Sequence, residues 1–518
     1  MSMKRRNFLK NMTMASVAAP FALNGMNYQG IAKKLFNYSK SAEDRVLVII
    51  RLNGGNDGLN TVIPLDQYEN LLLQRPNVLI PQPNIIQVTP ELGFHPVMTG
   101  MNTMFNEGTL TIIQNVGYPE QNRSHFRSMD IWSTGMMDVA ETRGWLGRYF
   151  EGVYPNYPDG YPNSTNPDPF AISMGYEVSS TCQGLMANFS HAVSDPFAAV
   201  NLVNTGTTND GSYYGSHMEY LSILINQTNQ YADTINAAAN AGSSLSTLYD
   251  VNNPLAMQLR NVAKMISGGL KTKVYILNID GFDTHDSQVS STSPVTGNHA
   301  DLLKRLSDAV SAFQNDLGLL GISNRVAGFT FSEFGRQIAS NASFGTDHGD
   351  AAPMFLFGSC INSGIIGSNP VISNAVNAQD AVPMQIDFRD VYASILKDWF
   401  EVPESEIQPL FEQTITYYQV LGACNVGLDE LVDERDKGIV YPNPAMNNAT
   451  VRFKCQSEWV KIELSDINGR PIKQVYDSNL AQGVHHIPFE LDGLKSGQYF
   501  LTVMKQSGKE TISMTKID

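Results

Sequence analysis

Carboxylate and imidazole side chains gather in five polar segments of this sequence, each next to an apolar run. The segments are 52–61, 117–125, 280–286, 332–336 and 345–349. The first four follow an apolar run, and the fifth precedes one. Oxygen and nitrogen ligands delivered by several loops suit a divalent cation such as Zn²⁺, Ca²⁺, Mg²⁺ or Mn²⁺, and two such ions about 4 Å apart can clamp the oxygens of a displacement reaction. The pattern therefore predicts a site for one or two metal ions.

Each segment also has a structural interpretation that needs no ligand. Segment 52–61 contains Asn and Gly residues that favour a tight turn between a strand and a helix. Ser124 has the position of a helix N-cap, which is the commoner use of a serine before a helical run. Asp283 and His285 could form a capped turn closed by a local hydrogen bond. The occurrence of all five segments in the order of the strands favours a functional site.

The five apolar runs have the pattern of strands that are buried on both faces of a sheet. They are 44–51, 110–116, 273–279, 326–331 and 354–357. Apolar residues at helical spacing predict a helix over 300–319, between the third run and the fourth. This order predicts an α/β fold with a doubly wound, mostly parallel sheet, in which ligands bind at the carboxyl ends of the strands. Residues 155–260 are richer in Asn, Ser, Gly and Pro, and we expect them outside the sheet.

The last part of the chain changes character after a charged run at 429–437. Short segments of alternating apolar and polar residues follow, separated by turn-forming pairs such as Asn468-Gly469 and Ser496-Gly497. This pattern predicts a linker over 429–438 and a small all-β sandwich over 439–518. The α/β region then occupies 41–428, after a leader at 1–40.

Composition excludes several classes of protein. The chain has 518 residues and a formal net charge of −15, so it lacks the positive field that attracts nucleic acid. A local metal site could still invert the charge inside one pocket and admit an anionic ester. The apolar stretch at 12–23 is too short to span a bilayer, and we expect no transmembrane segment in the mature protein. The four cysteines form no C-x-x-C pair, and the sequence assigns no disulfide.

The beginning of the chain resembles an export signal. Arg5 and Arg6 are followed by Phe8 and Leu9, in the register of a twin-arginine signal. The resemblance implies the twin-arginine translocase as a partner and export across the inner membrane. A basic disordered tail is the alternative interpretation.

The end of the chain resembles a second targeting signal. Tyr441-Pro-Asn-Pro444, Leu464-Ser-Asp-Ile-Asn-Gly-Arg470 and Ser496-Gly-Gln-Tyr-Phe-Leu-Thr-Val503 resemble the type A C-terminal sorting domain of the type IX secretion system. This resemblance implies the type IX machinery as a partner, and a protein that is secreted or anchored at the cell surface. The alternative is an ordinary carbohydrate-binding or adhesive β-module, for which we find no row of exposed aromatic residues.

A further resemblance covers about residues 44–425. Its motifs are Arg51-Leu-Asn-Gly-Gly-Asn-Asp-Gly-Leu-Asn, Asn122-Arg-Ser-His-Phe, Gly281-Phe-Asp-Thr-His285, Phe331-Ser-Glu-Phe-Gly-Arg336, Gly345-Thr-Asp-His-Gly349 and Asp387-Phe-Arg389. They resemble the bacterial family called domain of unknown function 1501. That family is in turn similar to the alkaline phosphatase and sulfatase superfamily, in which a Ser, Thr or modified Cys at a helix N-terminus attacks phosphorus or sulfur beside one or two metal ions.

The resemblance implies roles for particular residues. Ser124 falls at the position of the nucleophile, and Asp283 and His285 fall where ligands of the first metal arrive. Glu333 takes the place of a metal-binding Asp. His348 matches a later histidine that precedes a proline and the next strand.

Two positions depart from the superfamily pattern. The Asp that normally ends the first strand is here Asn53, with Asp57 as a displaced substitute for it. Phe334 stands where a histidine ligand is expected and cannot replace it. Both changes affect ligands of the second metal, so a site with one metal or none is as compatible with the remaining residues.

These residues together imply a secreted or cell-surface protein resembling metal-dependent phosphate or sulfate ester hydrolases. Ser124 would attack, and Arg123 or Arg127 would hold the oxygens of the substrate. Phosphate is favoured over sulfate, because the segment around Ser124 lacks the C/S-x-P-x-R setting of a formylglycine precursor. The competing hypothesis is a non-catalytic surface binding protein on a degenerate phosphatase-like fold.

Overall fold

The computed structural model describes residues 44–198, 202–203, 210–422 and 438–517, apart from 456, 467–469, 482 and 506–507. The predicted leader at 1–40, with its twin-arginine segment, lies outside the described residues, and so does the predicted linker except for residue 438. The predicted turn at Asn468 and Gly469 also lies outside them. In the described part of the chain, no helix is long and apolar enough to cross a membrane.

The α/β region is built on one large sheet, as the sequence predicts. The strands of residues 44–422 are β1 (Val46–Asn53), β2 (Val62–Pro64), β3 (Ile86–Thr89), β4 (Leu92–Phe94), β5 (Leu110–Gly117), β6 (Ala171–Met174), β7 (Ser190–Val193), β8 (Val274–Asp280), β9 (Val326–Phe331), β10 (Ala352–Gly358), β11 (Gly364–Ile366) and β12 (Ile386–Asp387). Nine of these described strands form the large sheet, in the order β11-β5-β10-β9-β1-β8-β6-β7, with β12 paired to β5. Strand β10 is antiparallel to both of its neighbours, and the other pairings in this sheet are parallel.

Helices cover both faces of this sheet. They are α1 (Gly58–Thr61), α2 (Tyr68–Gln74), α3 (Thr99–Asn106), α4 (His125–Thr134), α5 (Trp145–Val153), α6 (Tyr213–Ala241), α7 (Pro254–Ser267), α8 (Asn298–Leu319), α9 (Phe388–Phe400) and α10 (Glu404–Ile407). On β1, Val48 and Ile50 belong to a core shared with α7 and α8, whereas Leu47 and Ile49 belong to a core shared with α4, α5 and α9. A strand that is buried on both faces needs a continuously apolar sequence. The doubly wound arrangement predicted from the sequence is therefore confirmed.

The prediction that residues 155–260 lie outside the sheet is wrong in part. Helices α6 and α7 are outside it, but β6 and β7 extend the large sheet beyond β8. Each of these two strands has only four residues, with the sequences Ala-Ile-Ser-Met and Ser-His-Ala-Val. Strands so short and so mixed in polarity do not stand out from a segment rich in Asn and Ser.

The C-terminal part of the chain is all-β, which confirms the predicted sandwich. Its strands are β13 (Ile439–Tyr441), β14 (Asn448–Cys455), β15 (Glu458–Ser465), β16 (Pro471–Leu480), β17 (Gly483–Glu490), β18 (Gly497–Lys505) and β19 (Gly508–Lys516). They form two antiparallel sheets, β13-β14-β17 and β16-β15-β18-β19. Alternate residues of both sheets share one core, as Val451 and Phe453 on β14 and Val460 and Ile462 on β15 show.

The cysteines fall into two states. Cys360 is disulfide-bonded, a bridge that the sequence analysis leaves unassigned. Cys182 and Cys455 are free and buried. Burial raises the pKa of the Cys182 thiol far above its usual value, so this side chain carries almost no reactive thiolate.

Candidate metal centre

The strand directions bring the polar segments to one edge of the large sheet. Strands β1, β5, β8 and β9 run in the same direction, so the residues that follow them meet at a common carboxyl edge. Strand β10 runs in the opposite direction, so the residues that precede it arrive at the same edge. This is why His348, which comes before β10, lies beside Asp283, which comes after β8.

Four side chains converge at this edge: His125, Asp283, His285 and His348. His348 Nε2 lies 3.1 Å from Asp283 Oδ1 and 2.9 Å from His285 Nε2. His285 Nε2 lies 3.2 Å from Asp283 Oδ1, and His125 Nε2 lies 3.4 Å from Asp283 Oδ2. All four side chains are partly exposed, so a small ligand can reach them from solvent.

The three imidazoles of this cluster are held in the same way. Each places Nδ1 against an oxygen: Glu333 Oε1 at 2.9 Å for His125, Asp347 Oδ1 at 2.7 Å for His285, and the main-chain oxygen of Arg123 at 2.8 Å for His348. A proton on Nδ1 satisfies each of these contacts and leaves the Nε2 lone pair free. Oxygen acceptors behind the ligand nitrogen are typical of metal-binding histidines.

The donor set fits a divalent cation. His125, Asp283 and His348 could hold a metal ion, because one ligand atom of each lies within 4.8 Å of the others. Four ligand atoms at about 2.0–2.1 Å from Zn²⁺ in a tetrahedron lie roughly 3.3 Å from one another. The distances from Asp283 Oδ1 to His348 Nε2, 3.1 Å, and from Asp283 Oδ2 to His125 Nε2, 3.4 Å, are close to this value. His285 is outside this group of three, although its Nε2 lies 2.9 Å from that of His348. Moreover, two Nε2 lone pairs at 2.9 Å share no hydrogen, whereas a cation between them would use both.

Asp283 is ionised in this environment. Burial raises the pKa of its carboxyl, but the hydrogen bond from Arg336, the contact with His348 and the charge of Arg336 together outweigh burial and lower the pKa to about 2. Arg336 is buried and donates Nη2 to Asp283 Oδ1 at 2.8 Å. It also donates to the main-chain oxygens of Phe282 at 2.9 Å and Thr346 at 2.9 Å. Arg336 therefore connects the loop of Asp283 to the loop of His348.

The protonation states of His348 and Asp347 are also compatible with a metal site. Burial lowers the pKa of His348, although the neighbouring Asp283 carboxylate opposes that effect, so the ring is neutral at pH 7. Burial raises the pKa of Asp347, but hydrogen bonds from His285 and Asn341 lower it overall. A neutral imidazole and an ionised carboxylate are the forms that bind metals.

Glu333 is expected among the ligands, but the structure places it behind His125. Its Oε1 accepts hydrogen bonds from His125 Nδ1 and, at 2.8 Å, from the N–H of Gly54. The side chain is buried. Because these contacts occupy its carboxylate, Glu333 orients the ring of His125 and does not belong to the group of converging ligand atoms.

Asp57 is also expected as a ligand, and the structure corrects this role. Its carboxylate is buried and accepts hydrogen bonds from Arg75 at 3.0 and 2.7 Å and from Gln288 at 2.6 Å. Burial raises the pKa of Asp57, but the charges of Arg75 and His299 and the hydrogen bonds from Arg75 and Gln288 together keep the pKa below its usual value. A carboxylate that is neutralised by a buried arginine is not available to a metal ion.

Ser124 lies at the margin of the cluster. It is the exposed N-cap residue of α4, and His125 is the first residue of that helix. Its main-chain N–H donates to Asn122 Oδ1 at 2.9 Å, while its hydroxyl makes no capping hydrogen bond. Ser124 thus stands at the positive N-terminal end of a helix and directly precedes a candidate ligand in the chain.

Both arginines expected to hold substrate oxygens are engaged elsewhere. Arg123 donates Nε to Asp350 Oδ1 at 2.8 Å and Nη1 to the main-chain oxygen of Gln379 at 3.0 Å. Arg127 donates Nη2 to the main-chain oxygen of Met137 at 2.5 Å. Arg123 contributes to the cluster through its main-chain oxygen, which accepts the hydrogen bond from His348.

The two departures from the superfamily pattern remove ligand atoms. Phe334 is buried, and its ring centroid lies 4.9 Å from that of His125 and 4.5 Å from that of His348. A Cβ on Gly55, which has a φ of +90°, would meet this ring at 2.5 Å, so only glycine lets the ring pack here. Asn53 donates Nδ2 to Asp280 Oδ1 at 2.5 Å. A phenyl ring offers no ligand atom for a second ion.

Sequence reasoning missed three residues of the site: His125, Asp347 and Arg336. Each stands inside one of the polar segments, close to a residue that the sequence predicts for the site: Arg336 lies three positions after Glu333. His125 follows Ser124, and Asp347 precedes His348. A histidine at the start of a helix, directly after a polar loop, was the available signal for the ligand.

The fold and the cluster define a doubly wound α/β protein with a candidate metal centre, followed by a β-sandwich. Residues 44–411 match the family described as protein of unknown function DUF1501, and the chain belongs to that family. Residues 439–516 match the secretion system C-terminal sorting domain, which indicates type IX secretion to the cell surface or the medium. No curated protein matches the chain.

Several solved structures are similar to the chain. A sulfatase from Pseudoalteromonas sp. is 9% identical, with a TM-score of 0.33, over 89% of this chain and 87% of that chain. A phosphonate monoester hydrolase from Silicibacter pomeroyi is 9% identical, with a TM-score of 0.33, over 91% of this chain and 88% of that chain. A protein of the alkaline phosphatase superfamily from Vibrio parahaemolyticus is 10% identical, with a TM-score of 0.28, over 86% and 82% of the two chains.

Proposed function

We propose that this protein is a secreted hydrolase of phosphate esters that depends on one divalent metal ion. The proposed ligands are Asp283, His125 and His348, which form one group of ligand atoms. His285, whose Nε2 lies 2.9 Å from that of His348, is proposed as a fourth ligand. The observation that carries the proposal is the shared orientation of the three imidazoles, each with Nδ1 against an oxygen and Nε2 near the carboxylate of Asp283. A set rich in imidazole suits Zn²⁺ better than Ca²⁺ or Mg²⁺, which prefer oxygen ligands.

A bound cation supplies positive charge for the ester oxygens and for the serine oxygen. Ser124 is the proposed nucleophile. Attack of its Oγ on phosphorus breaks the bond to the ester alcohol and transfers the phosphoryl group to the serine; the hydroxyl proton leaves Oγ and the departing alcohol takes up a proton. Water then attacks the phosphoserine, which restores the serine hydroxyl and releases phosphate. The N–H groups in the first turn of α4 are left without helical partners and favour an anion at this position. Phosphate is preferred to sulfate, because the sequence around Ser124 offers no formylglycine precursor.

The two ends of the chain support an export route and a division into domains. The sorting domain at 439–516 supports an independent secretion unit over 439–518, after a linker at 429–438. The arginine pair at residues 5 and 6 supports export of the α/β region, 41–428, by the twin-arginine translocase.

A second candidate function is binding without catalysis. It is favoured by Phe334, which occupies the place of a ligand, and by the two arginine side chains that are engaged away from the cluster. In that case the protein would bind a metal ion and hydrolyse no ester.

Metal analysis of the purified full chain tests the metal site that both candidate functions share. We expect about one Zn²⁺ per chain after dialysis. Asp283→Ala should lose the ion, because it removes the only carboxylate among the proposed ligands. Asp286→Asn is the matched control, since Asp286 is an exposed acid in the same loop. Equal metal content in Asp283→Ala and wild type would refute the site.

Hydrolysis of an aryl phosphate tests the nucleophile. Ser124→Ala should abolish turnover while changing the free energy of unfolding by less than about 1 kcal/mol, because the hydroxyl makes no capping hydrogen bond. Ser212→Ala, at the N-cap of α6, is the control and should keep full activity. Metal binding by the wild type without hydrolysis of any phosphate ester would favour the non-catalytic function.

A further inference from the structure

A buried glutamine lies between the two loops that supply most of the cluster. Thr284 Oγ1 donates to Gln288 Oε1 at 3.1 Å, and Thr346 Oγ1 donates to the same oxygen at 2.5 Å. Gln288 and Thr346 are fully buried, and Thr284 nearly so. One amide oxygen thus joins the loop at 281–286 to the loop at 345–349.

The other end of this amide is fixed as well. Gln288 Nε2 donates to Asp57 Oδ2 at 2.6 Å, and Asp57 is paired with the guanidinium of Arg75. If the amide turned over, its NH₂ group would face two hydroxyl donors and its oxygen would face a carboxylate. The amide therefore has a single favourable orientation.

The two threonines are placed next to the candidate ligands. Thr284 lies between Asp283 and His285 in the chain, and Thr346 comes directly before Asp347 and His348. The N–H of Thr346 also donates to the main-chain oxygen of Thr284 at 3.2 Å. Any sliding of one loop against the other must break the hydrogen bonds to Gln288, since its fully buried side chain has no water to replace them.

We propose that Gln288 is a positioning residue of the metal centre, which sets the separation between the ligands of the two loops. It contacts neither the metal nor the substrate and acts through Thr284 and Thr346, with Asp57 and Arg75 as its anchor. This inference rests on the proposed metal site. It gives Asp57 a role in the site that is different from ligation.

The test is the affinity of the full chain for Zn²⁺ and Co²⁺, measured by competition with a chromophoric chelator. Gln288→Leu removes both ends of the amide at similar volume and should weaken binding about 10–100-fold, as changes behind metal ligands do. The visible spectrum of bound Co²⁺ should also change, because the ligands adopt different separations. Lower stability alone would leave that spectrum as in the wild type.

Gln227→Leu is the matched control. Gln227 is a buried glutamine on α6, and its oxygen accepts a hydrogen bond from Tyr157 OH at 3.3 Å. Its replacement should lower stability, while Zn²⁺ affinity stays within about twofold of the wild-type value, since no candidate ligand is attached to it.

A milder variant keeps the proposal testable if Gln288→Leu does not fold. Thr346→Val removes one hydroxyl without a change of shape and should weaken Zn²⁺ binding about fivefold, the equivalent of one hydrogen bond. Where Gln288→Leu does fold, adding Thr346→Val to it should weaken Zn²⁺ binding almost no further, because the partner of the hydroxyl is already gone. If the losses of Zn²⁺ affinity in the two variants added up in the double variant, Thr346 would not act through Gln288.

The outcomes distinguish the two proposals. Failure of the wild type to bind either ion would overturn both the metal site and the role of Gln288. Binding by the wild type, with affinity and Co²⁺ spectrum unchanged in Gln288→Leu and Thr346→Val, would overturn only the positioning role.

Discussion

The candidate metal centre and the C-terminal sandwich assemble their important residues in different ways. In the sandwich, β18 and β19 are consecutive strands that pair residue by residue, from Gly497 with Lys516 to Lys505 with Gly508. In the metal centre, His125 and Glu333 are in contact although 208 positions separate them in the chain. The sandwich is therefore a unit of local sequence, whereas the metal centre exists only when the whole large sheet is formed.

Deletion of residues 438–518 gives the largest effect that follows from this difference. We expect complete loss of secretion, because the sorting domain is removed, while the rest of the chain stays folded. Zn²⁺ affinity should remain within about twofold of the wild-type value, because the four proposed ligands lie elsewhere. Cell fractionation, circular dichroism and a chelator competition measure the three quantities. An unfolded product would show that the two regions are not independent.

Leu501→Ala tests the same independence by destabilising the sandwich alone. Leu501 lies on β18 and is fully buried in the core of the sandwich, so its truncation should destabilise that unit by about 2–5 kcal/mol. Zn²⁺ affinity should not change. Ile472→Ala is the control, because Ile472 on β16 is exposed and its truncation should change stability by less than about 0.5 kcal/mol. A loss of metal from Leu501→Ala would mean that the sandwich supports the metal centre.

Glu333→Gln gives the smallest of these effects and acts on the metal centre alone. The variant keeps an oxygen for His125 Nδ1 but removes the negative charge, so we expect metal affinity to fall about 10-fold. Glu412→Gln is the control, because Glu412 accepts main-chain N–H groups of Met137 and Asp138 outside the cluster. An unchanged affinity in Glu333→Gln would remove Glu333 from the site.

The sequence was sufficient for the elements that carry long apolar runs. The strand predicted at 326–331 is β9 with the same bounds, and the helix predicted at 300–319 is α8 with two more residues at its start. A strand that is buried on both faces needs apolar residues at every position, so it is recognisable in the sequence as a continuous apolar run. Strands β6 and β7 were missed, since four residues carry too little pattern.

The sequence predicts the location of the candidate site better than it predicts the role of each residue in it. Strand order brings Asp283, His285 and His348 together, as expected. Whether a carboxylate binds a metal or supports a neighbouring residue depends on its side-chain partners. The partner of Glu333 is His125, and the partner of Asp57 is Arg75. Those partners come from distant segments, and local spacing does not show them.

The distance along the chain between the proposed metal ligands has a consequence for the rates of folding and unfolding. Asp283 and His348 are 65 positions apart, so their contact forms after much of the intervening chain has been ordered. A cation that binds only the completed cluster adds stability after the folding barrier has been crossed. It therefore slows unfolding and leaves the folding rate almost unchanged. Outside the cell, the lifetime of the native protein would then depend on the concentration of free metal in the medium.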